Sequence, residues 1–526
     1  MIARYSALGL TNEQMAEYPV WKDLTGNGHD LQMKNFAWKG MSGVGGYTEN
    51  YGSNRWYKVA SRIDTTWTYK SFNVKSIKDN NLAQLFYQSL SSDTGFRVLS
   101  CTIKVSGLTD GQGIEYVSNG TQQFVIMRIE NDGIYHLPSF DFGAKNAYYG
   151  FRFLKLQESC NITIEQLPLY PGALVFDGVD DYGVCENFPI LTKEKGYTVV
   201  ALRQWDQDFL NTTLTGGLLS TRNYSTGEGV AFEKIESSNK GYWNLGAGGI
   251  IDFAKSPFTW QTSKQYNNVG ILKGDKNHGK SLCVGCGLSG GQQCGRFAIW
   301  KLVFLDHDAT EEELNKIKDY FVKTYPWLFP DQAWTVVGKT NEDDDGATFA
   351  NFTGIGNDLV CLNLGFIEGS GYNEEGEYAG YLVTDGVDDK ITSSTFEMGN
   401  DWTVIGDWEL INTGKNDNAG IVKFDSIVIY NYNPILINIK NGRNNLIPDQ
   451  NTVNAICSDG RIYSKDWKES IYNEETESTS KNLLTIGYSG NSYTKIAFKN
   501  LAIYPTVLSK EDCIKAYNYL QTLKAK

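Results

Sequence analysis

The chain has 526 residues, 41% of them hydrophobic and 13% aromatic, and carries a net charge of −13. That length is too great for a single hydrophobic core and predicts about three domains. The acidic balance excludes a nucleic-acid binder, which needs a concentrated positive field, and no stretch approaches the ~18 consecutive apolar residues of a membrane span.

The first residues, MIARYSALGLTNEQMAEYP, lack the sustained apolar segment and small-residue cleavage site of a secretory signal. Nine Cys residues, an odd number and widely scattered, fit a reducing cytoplasm as the place of synthesis. Thr11 opens a short helix with Gln14 placed to complete a capping box, and Pro19 closes it. A strand through Leu31, Met33 and Phe36 follows, ending in the Gly-rich run Gly40 to Gly46.

Between Tyr47 and Gly172 lie 124 residues with an order of their own. Short apolar runs at 96–99, 101–105, 124–129, 148–153 and 161–164 alternate with polar, Gly-bearing turns. Such a pattern predicts an inserted β-sandwich, 48–170, whose two ends must lie close together. The interrupted unit resumes at GALVFDGVDD (172–181) and continues as strands to about residue 304. There the apolar period changes from two to helical: Thr310 and Glu313 form a capping box, and Leu314, Ile317 and Phe321 make the stripe that follows.

The second half repeats the first. GYLVTDGVDD (380–389) matches 172–181, Asn351–Leu359 matches Asp23–Leu31, and Trp402–Ile405 matches Tyr197–Val200. KIAFKNLAIYPTVLSKEDCIKAYNYL (495–520) lies over RFAIWKLVFLDHDATEEELNKIKDYF (296–321) without a gap. Four landmarks in one order indicate a duplication, with copy A formed by 1–47 and 171–330 and copy B by 331–526. In copy B only seven residues separate Tyr372 from Gly380, where copy A holds the insert. The repeat is far too long for a solenoid.

This landmark set (a D-L-T-G-N-G-H-D opening, a strand ending in F-D-G-V-D-D-Y, and the closing LAIYPTVLSKED) resembles the LamG-like, concanavalin A-like jelly roll. The text GYNEEGEYAGYLVTDGVDD is similar to versions in virion proteins of phages that infect gut Bacteroidales, crAss-like phages among them. The resemblance covers copies A and B; the insert resembles carbohydrate-binding β-sandwiches in general. It implies an all-β protein of two tandem jelly-roll β-sandwiches, the first interrupted by a β-sandwich, with short peripheral helices. It also implies a non-enzymatic virion surface protein, a fibre or head-decoration component made in the host cytoplasm. Such a protein would contact other virion proteins and host cell-surface glycan, as a homo-oligomer, a trimer by analogy with phage fibres. A secreted bacterial carbohydrate-binding protein and a purely architectural virion part are the alternatives.

Each candidate site has a bland reading beside it. Asp177, Asp180 and Asp181 in one turn, and Asp385, Asp388 and Asp389 in the other, offer oxygens to calcium, as in some relatives of this fold. Equally they are Asx turns whose carboxylates accept backbone N–H groups. Cys283, Cys286 and Cys294 form a zinc half-site with His278 or His307 as a fourth ligand, or simply thiols in a hairpin. Glycosidases of this superfamily resemble one another in an E-x-D-x-x-E strand, and no such string occurs here. The G-x-S-x-G at 287–291 precedes a strand instead of opening a helix, so it reads as a turn. Neither cofactor nor catalysis is expected. Aromatic clusters are the binding candidates: Trp56 with Tyr57, Trp67 with Tyr69, Tyr148 with Tyr149, and Tyr430 with Tyr432, as platforms for sugar rings or as core packing.

Overall fold

The computed structural model describes residues 1–59, 63–78, 80–88, 97–119, 124–141, 148–190, 197–206, 214, 216–221, 231–234, 240–243, 249–252, 269–273, 281–288, 292–353, 357–367, 369–374, 378–411, 420–424, 427–430, 435–439, 443–447, 453–471, 483–488 and 492–525. The protein is all-β: two jelly-roll β-sandwiches in tandem and a third β-sandwich set into the first.

In copy A one sheet runs Val269–Lys273, Thr198–Trp205, Arg296–Leu305, Leu174–Asp177, Gly43–Val44, with Ala3–Ser6 also paired to Arg296–Leu305. Copy B builds the same sheet around Ile496–Tyr504, flanked by Thr403–Leu410 and Leu382–Val383, with Gln332–Thr335 in the place of Ala3–Ser6. Gly43–Val44, before the insert, is hydrogen-bonded to Leu174–Asp177, after it. The chain therefore leaves and re-enters copy A at adjacent strands, as a tolerated insertion requires.

Local backbone repeats along with the text. Asn35 and Asn363 share a left-handed conformation (φ 67° and 68°), as do Trp38 and Phe366 (53° and 52°). Asn12 clamps Val44 through both backbone groups (3.1 and 2.7 Å), and Asn341 clamps Tyr372 in the same way (2.8 and 2.7 Å).

The strand RFAIWKLVFL is apolar on both faces because both are covered. Phe297, Ile299, Leu302 and Phe304 point into copy A's own core with Tyr5, Trp21 and Trp205. Ala298, Trp300, Val303 and Leu305 point outward into a second cluster shared by the two copies. Copy B divides its strand likewise: Ile496, Phe498, Leu501 and Ile503 face its core, while Ala502 and Tyr504 face the shared cluster.

Both closing helices feed that seam. Glu311–Thr324 is capped by Thr310 and Glu313, as expected, and buries Leu314 and Phe321. Lys510–Leu520, capped by Ser509, buries Cys513, Ala516, Tyr517, Tyr519 and Leu520. Tyr519 meets Trp300 and Trp327 of copy A edge-on, at 6.5 and 5.8 Å between ring centroids. The last helix is thus mortar between the two sandwiches.

The insert has its own core, with Tyr51, Trp56, Phe72, Phe151 and Phe153 among its members. One sheet runs Gly133–Leu137, Cys101–Ser106, Asn161–Gln166, Ser71–Ser76, Ile63–Trp67. The other runs Val125–Ile129, Gly113–Ser118, Tyr148–Leu156, Asn80–Gln88, Trp56–Lys58. The first sheet docks on copy B. There His136 shares a hydrogen bond with Thr102 (3.2 Å), approaches Lys499 Nζ (3.4 Å) and meets Tyr517 edge-on. Lys499 in turn lies 3.7 Å from Asp407, which accepts a hydrogen bond from Tyr381 (3.0 Å).

Candidate functional site

Parity along the insert's strands decides which aromatics reach solvent. Trp56 points inward and is 7% exposed, packed among Tyr51, Phe72, Tyr87 and Tyr149. Tyr149 is 1% exposed, and its hydroxyl donates to the Glu49 carboxylate at 2.9 and 3.0 Å. Burial pushes the Glu49 carboxyl up to about 7. Trp56 and Tyr149 are therefore core residues, which corrects the expectation that their rings meet a ligand. Trp67 is half-buried against Trp56 and Phe72, with its indole N–H satisfied by Thr65 Oγ1 at 3.0 Å. Tyr430 ends the strand Ile427–Tyr430, but its side chain, like Tyr432, lies outside the described residues.

The neighbours of the two buried rings take the opposite face. Tyr57 opposes Phe86, and Phe86 opposes Gly150, across three adjacent strands. Tyr148 stacks on Phe86 at 4.4 Å and 27°, and Tyr57 stands against Phe86 at 6.4 Å and 73°. Phe86 is the buried base of this group; Tyr148 is half-buried and Tyr57 is 37% exposed. The Tyr57 hydroxyl titrates above its ordinary range, first because it is partly buried and then because Tyr148 is beside it. Gly150 leaves the third position of this row without a side chain: a Cβ there would sit 2.2 Å from the Leu85 carbonyl oxygen.

The next row along the same face is charged. Glu115 opposes Arg152 on one side and Arg128 on the other. Its side chain is 2% exposed, with Arg152 Nε donating to Oε2 at 2.6 Å and Arg152 Nη2 also on Oε2. Arg128 Nη2 pairs with Oε1 at 3.0 Å while its side chain stays 66% exposed. The Arg152 guanidinium also lies 4.9 Å from the centroid of Phe124, a ring that is 40% exposed. Tyrosines set around Phe86, with Arg152 and then Arg128 across the neighbouring strands, can pack the C–H face of a sugar and hydrogen-bond the oxygens of a glycan that lies along the face. Phe86, Glu115, Phe124, Arg128 and Arg152 were not among the sequence candidates; strand alternation could have flagged Tyr57 over Trp56, but the cross-strand rows could not be read from the text.

The acidic turns come together as the sequence predicts, each with three carboxylates within 4.8 Å of one another. Asp177 Oδ1 accepts the Val179 N–H (2.8 Å), and Asp181 accepts the Asp177 N–H (3.1 Å) and the Ser42 hydroxyl (2.9 Å). In copy B, Asp385 Oδ1 takes the N–H groups of Val387, Asp388 and Asp389 at 2.7, 3.3 and 3.4 Å, and Asp389 takes that of Asp385 at 2.8 Å. Asp180 and Asp388 are exposed, their carbonyls held by Asn35 and Asn363. Burial, with Asp177 adjacent, pushes the Asp181 carboxyl up to about 7. The carboxylates that would bind calcium are thus largely committed to backbone N–H groups, as Asx turns require.

The three cysteines cluster, but Cys286 and Cys294 are joined in a disulfide and Cys283 is a buried thiol beside them. A zinc site on these residues is excluded by that bond, since a disulfide sulfur is not a thiolate ligand. His307 bridges Asp306 and Glu313 at the start of a helix, and His278 lies outside the described residues, as does Ser289 of the G-x-S-x-G string.

No family model matches the chain, and no curated protein does either. Similar solved structures include the botulinum neurotoxin serotype D binding domain, at 10% identity over 65% of this chain and 88% of that chain, TM-score 0.26. Trypanosoma rangeli sialidase in complex with sialic acid is similar at 8% identity over 87% of this chain and 83% of that chain, TM-score 0.27. Likenesses at these scores carry no argument about function, and the β-sandwich assignment stands on the strand pairings above.

Proposed function

We propose that the chain is a non-enzymatic virion surface protein, a fibre or head-decoration component, that adheres to host-surface glycan through the outer face of its insert. The observation that carries the adhesion reading is the tyrosine pair on Phe86, on the same sheet face as the Arg128–Glu115–Arg152 row. The virion assignment rests on the duplicated jelly-roll text and its resemblance to phage proteins. Weak single-site affinity would be offset by several copies on one particle. A second reading, a secreted bacterial carbohydrate-binding protein, is favoured by one observation: the Cys286–Cys294 disulfide, a bond at home in oxidising surroundings.

Glycan-array binding of the intact chain and of the Tyr57→Ala/Tyr148→Ala double variant tests the adhesion. The double variant should keep the wild-type melt and lose at least about tenfold in affinity, ~1.4 kcal/mol. Undiminished binding would overturn the assignment of this face. Mass spectrometry of purified particles tests the virion assignment, which fails if the chain is found only as a free secreted protein.

A further inference from the structure

We infer that the glycan held by this face carries a carboxylate, as in a uronic or nonulosonic acid. The inference rests on the reading of the face as a glycan site and adds the chemical class of the ligand.

Charge is distributed unevenly along the chain. Residues 48–170 hold twelve Lys/Arg against eleven Asp/Glu, a net charge of +1, so the remaining residues carry −14 of the total −13. An acidic ligand is repelled by the two jelly rolls and meets no such field at the insert. Beside the aromatic group two guanidinium groups share the single carboxylate of Glu115. Arg152 is engaged twice over, by Glu115 and by the ring of Phe124. Arg128 is engaged once, through Nη2, and the rest of its fork faces solvent from the edge strand Val125–Ile129.

Strand order and register set the distance. Arg152 lies one strand and two residues from Phe86, about 8 Å, and Arg128 two strands further, roughly 16 Å from Phe86 and on the opposite edge of the sheet from Tyr57. A glycan of two or more residues, stacked on the tyrosines and lying across the strands, would bring the carboxylate of a further ring to Arg128, where a fork-shaped donor suits the two oxygens. A surplus of one charge matches one carboxylate per sugar and is too small to track a polyphosphate backbone.

The experiment measures affinity of the intact chain for pairs of probes that differ only in the charge: 3′-sialyllactose against lactose, and digalacturonate against its methyl ester. The acidic member of at least one pair should bind about tenfold tighter or more at low salt, and the preference should shrink as salt rises. Arg128→Gln should bring that preference to near one, and Tyr57→Ala/Tyr148→Ala should weaken both members. Equal affinity within both pairs, or a preference that survives Arg128→Gln, overturns the acidic class and leaves the glycan site standing. Binding of neutral and acidic members that is untouched by the tyrosine variant overturns the site itself, and absence of binding to every probe overturns both.

Discussion

Tyr519 is the side chain through which copy B grips copy A, and replacing it with Ala tests whether the two sandwiches are one cooperative unit. The ring is fully buried, edge-on to Trp300 and Trp327. Removing a buried aromatic costs about 3–5 kcal/mol, and each lost edge-to-face pair accounts for about 0.5–1.5 of that. All of that loss falls on the seam, because the core of copy B (Trp334, Phe349, Phe498 and their neighbours) lies on the other face of the sheet. Wild type should melt in calorimetry with the two jelly rolls coupled. Tyr519→Ala should separate them into two transitions, the lower displaced by on the order of 10 °C for a sandwich-sized unit. Phe498→Ala is the control: it removes a similar volume from the core of copy B, so it lowers that sandwich without uncoupling it. If Tyr519→Ala shifts the melt by less than about 1 kcal/mol and leaves one transition, the seam is not what joins the copies.

Replacing residues 48–170 by the Asn373–Ala379 connector should leave a cooperatively folding protein that melts several degrees lower, because Lys499 and Asp407 lose the cover of His136; an unchanged melting temperature would mean the insert does not dock on copy B. Burial, then the charge of Lys499, holds the His136 imidazole well below its usual range. An unfolded histidine takes its proton near pH 6.5, so stability present above that pH is lost as pH falls below it, and His136→Gln should flatten the acid limb of a melting-temperature profile. Asp181 behaves in the opposite sense: with its carboxyl at about 7 against about 3.9 unfolded, stability present below pH 4 is lost as pH rises through 7, and Asp181→Asn should remove that slope. As turn-formers, Asp177 and Asp385 should each cost about 1–2 kcal/mol when changed to Ala, with EDTA leaving the wild-type melt in place; a drop of several degrees in EDTA that calcium restores would show a metal site instead.

Much of the fold was legible because duplication lets each half check the other. The capped helices at Thr310 and Ser509, the Asp-Gly-Val-Asp-Asp turns and the insertion point between Gly43–Val44 and Leu174–Asp177 all sit where local chemistry places them. The seam was harder to see. A strand such as RFAIWKLVFL declares that both its faces are buried, but not that the second face meets another sandwich. Aromatic clusters were a poor guide to the site for a related reason. In Trp56-Tyr57 and Tyr148-Tyr149 one ring of each pair must enter the core, and composition does not say which. The row that joins Tyr57, Phe86 and Gly150, and the row that joins Arg128, Glu115 and Arg152, are set by cross-strand register among segments far apart in sequence. The Cys286–Cys294 bond is not legible from the spacing of scattered cysteines, because it depends on the antiparallel hairpin that sets these two opposite each other.

Hydrogen–deuterium exchange on the intact chain, with and without a saturating glycan chosen from the array, is the most direct test of where the ligand sits. Protection should be confined to the insert's outer sheet, at Trp56–Lys58, Asn80–Gln88, Gly113–Ser118, Val125–Ile129 and Tyr148–Leu156, the strands that carry Tyr57, Phe86, Glu115, Arg128, Tyr148 and Arg152. Protection at the acidic turns of the jelly rolls, with these strands unchanged, would contradict it.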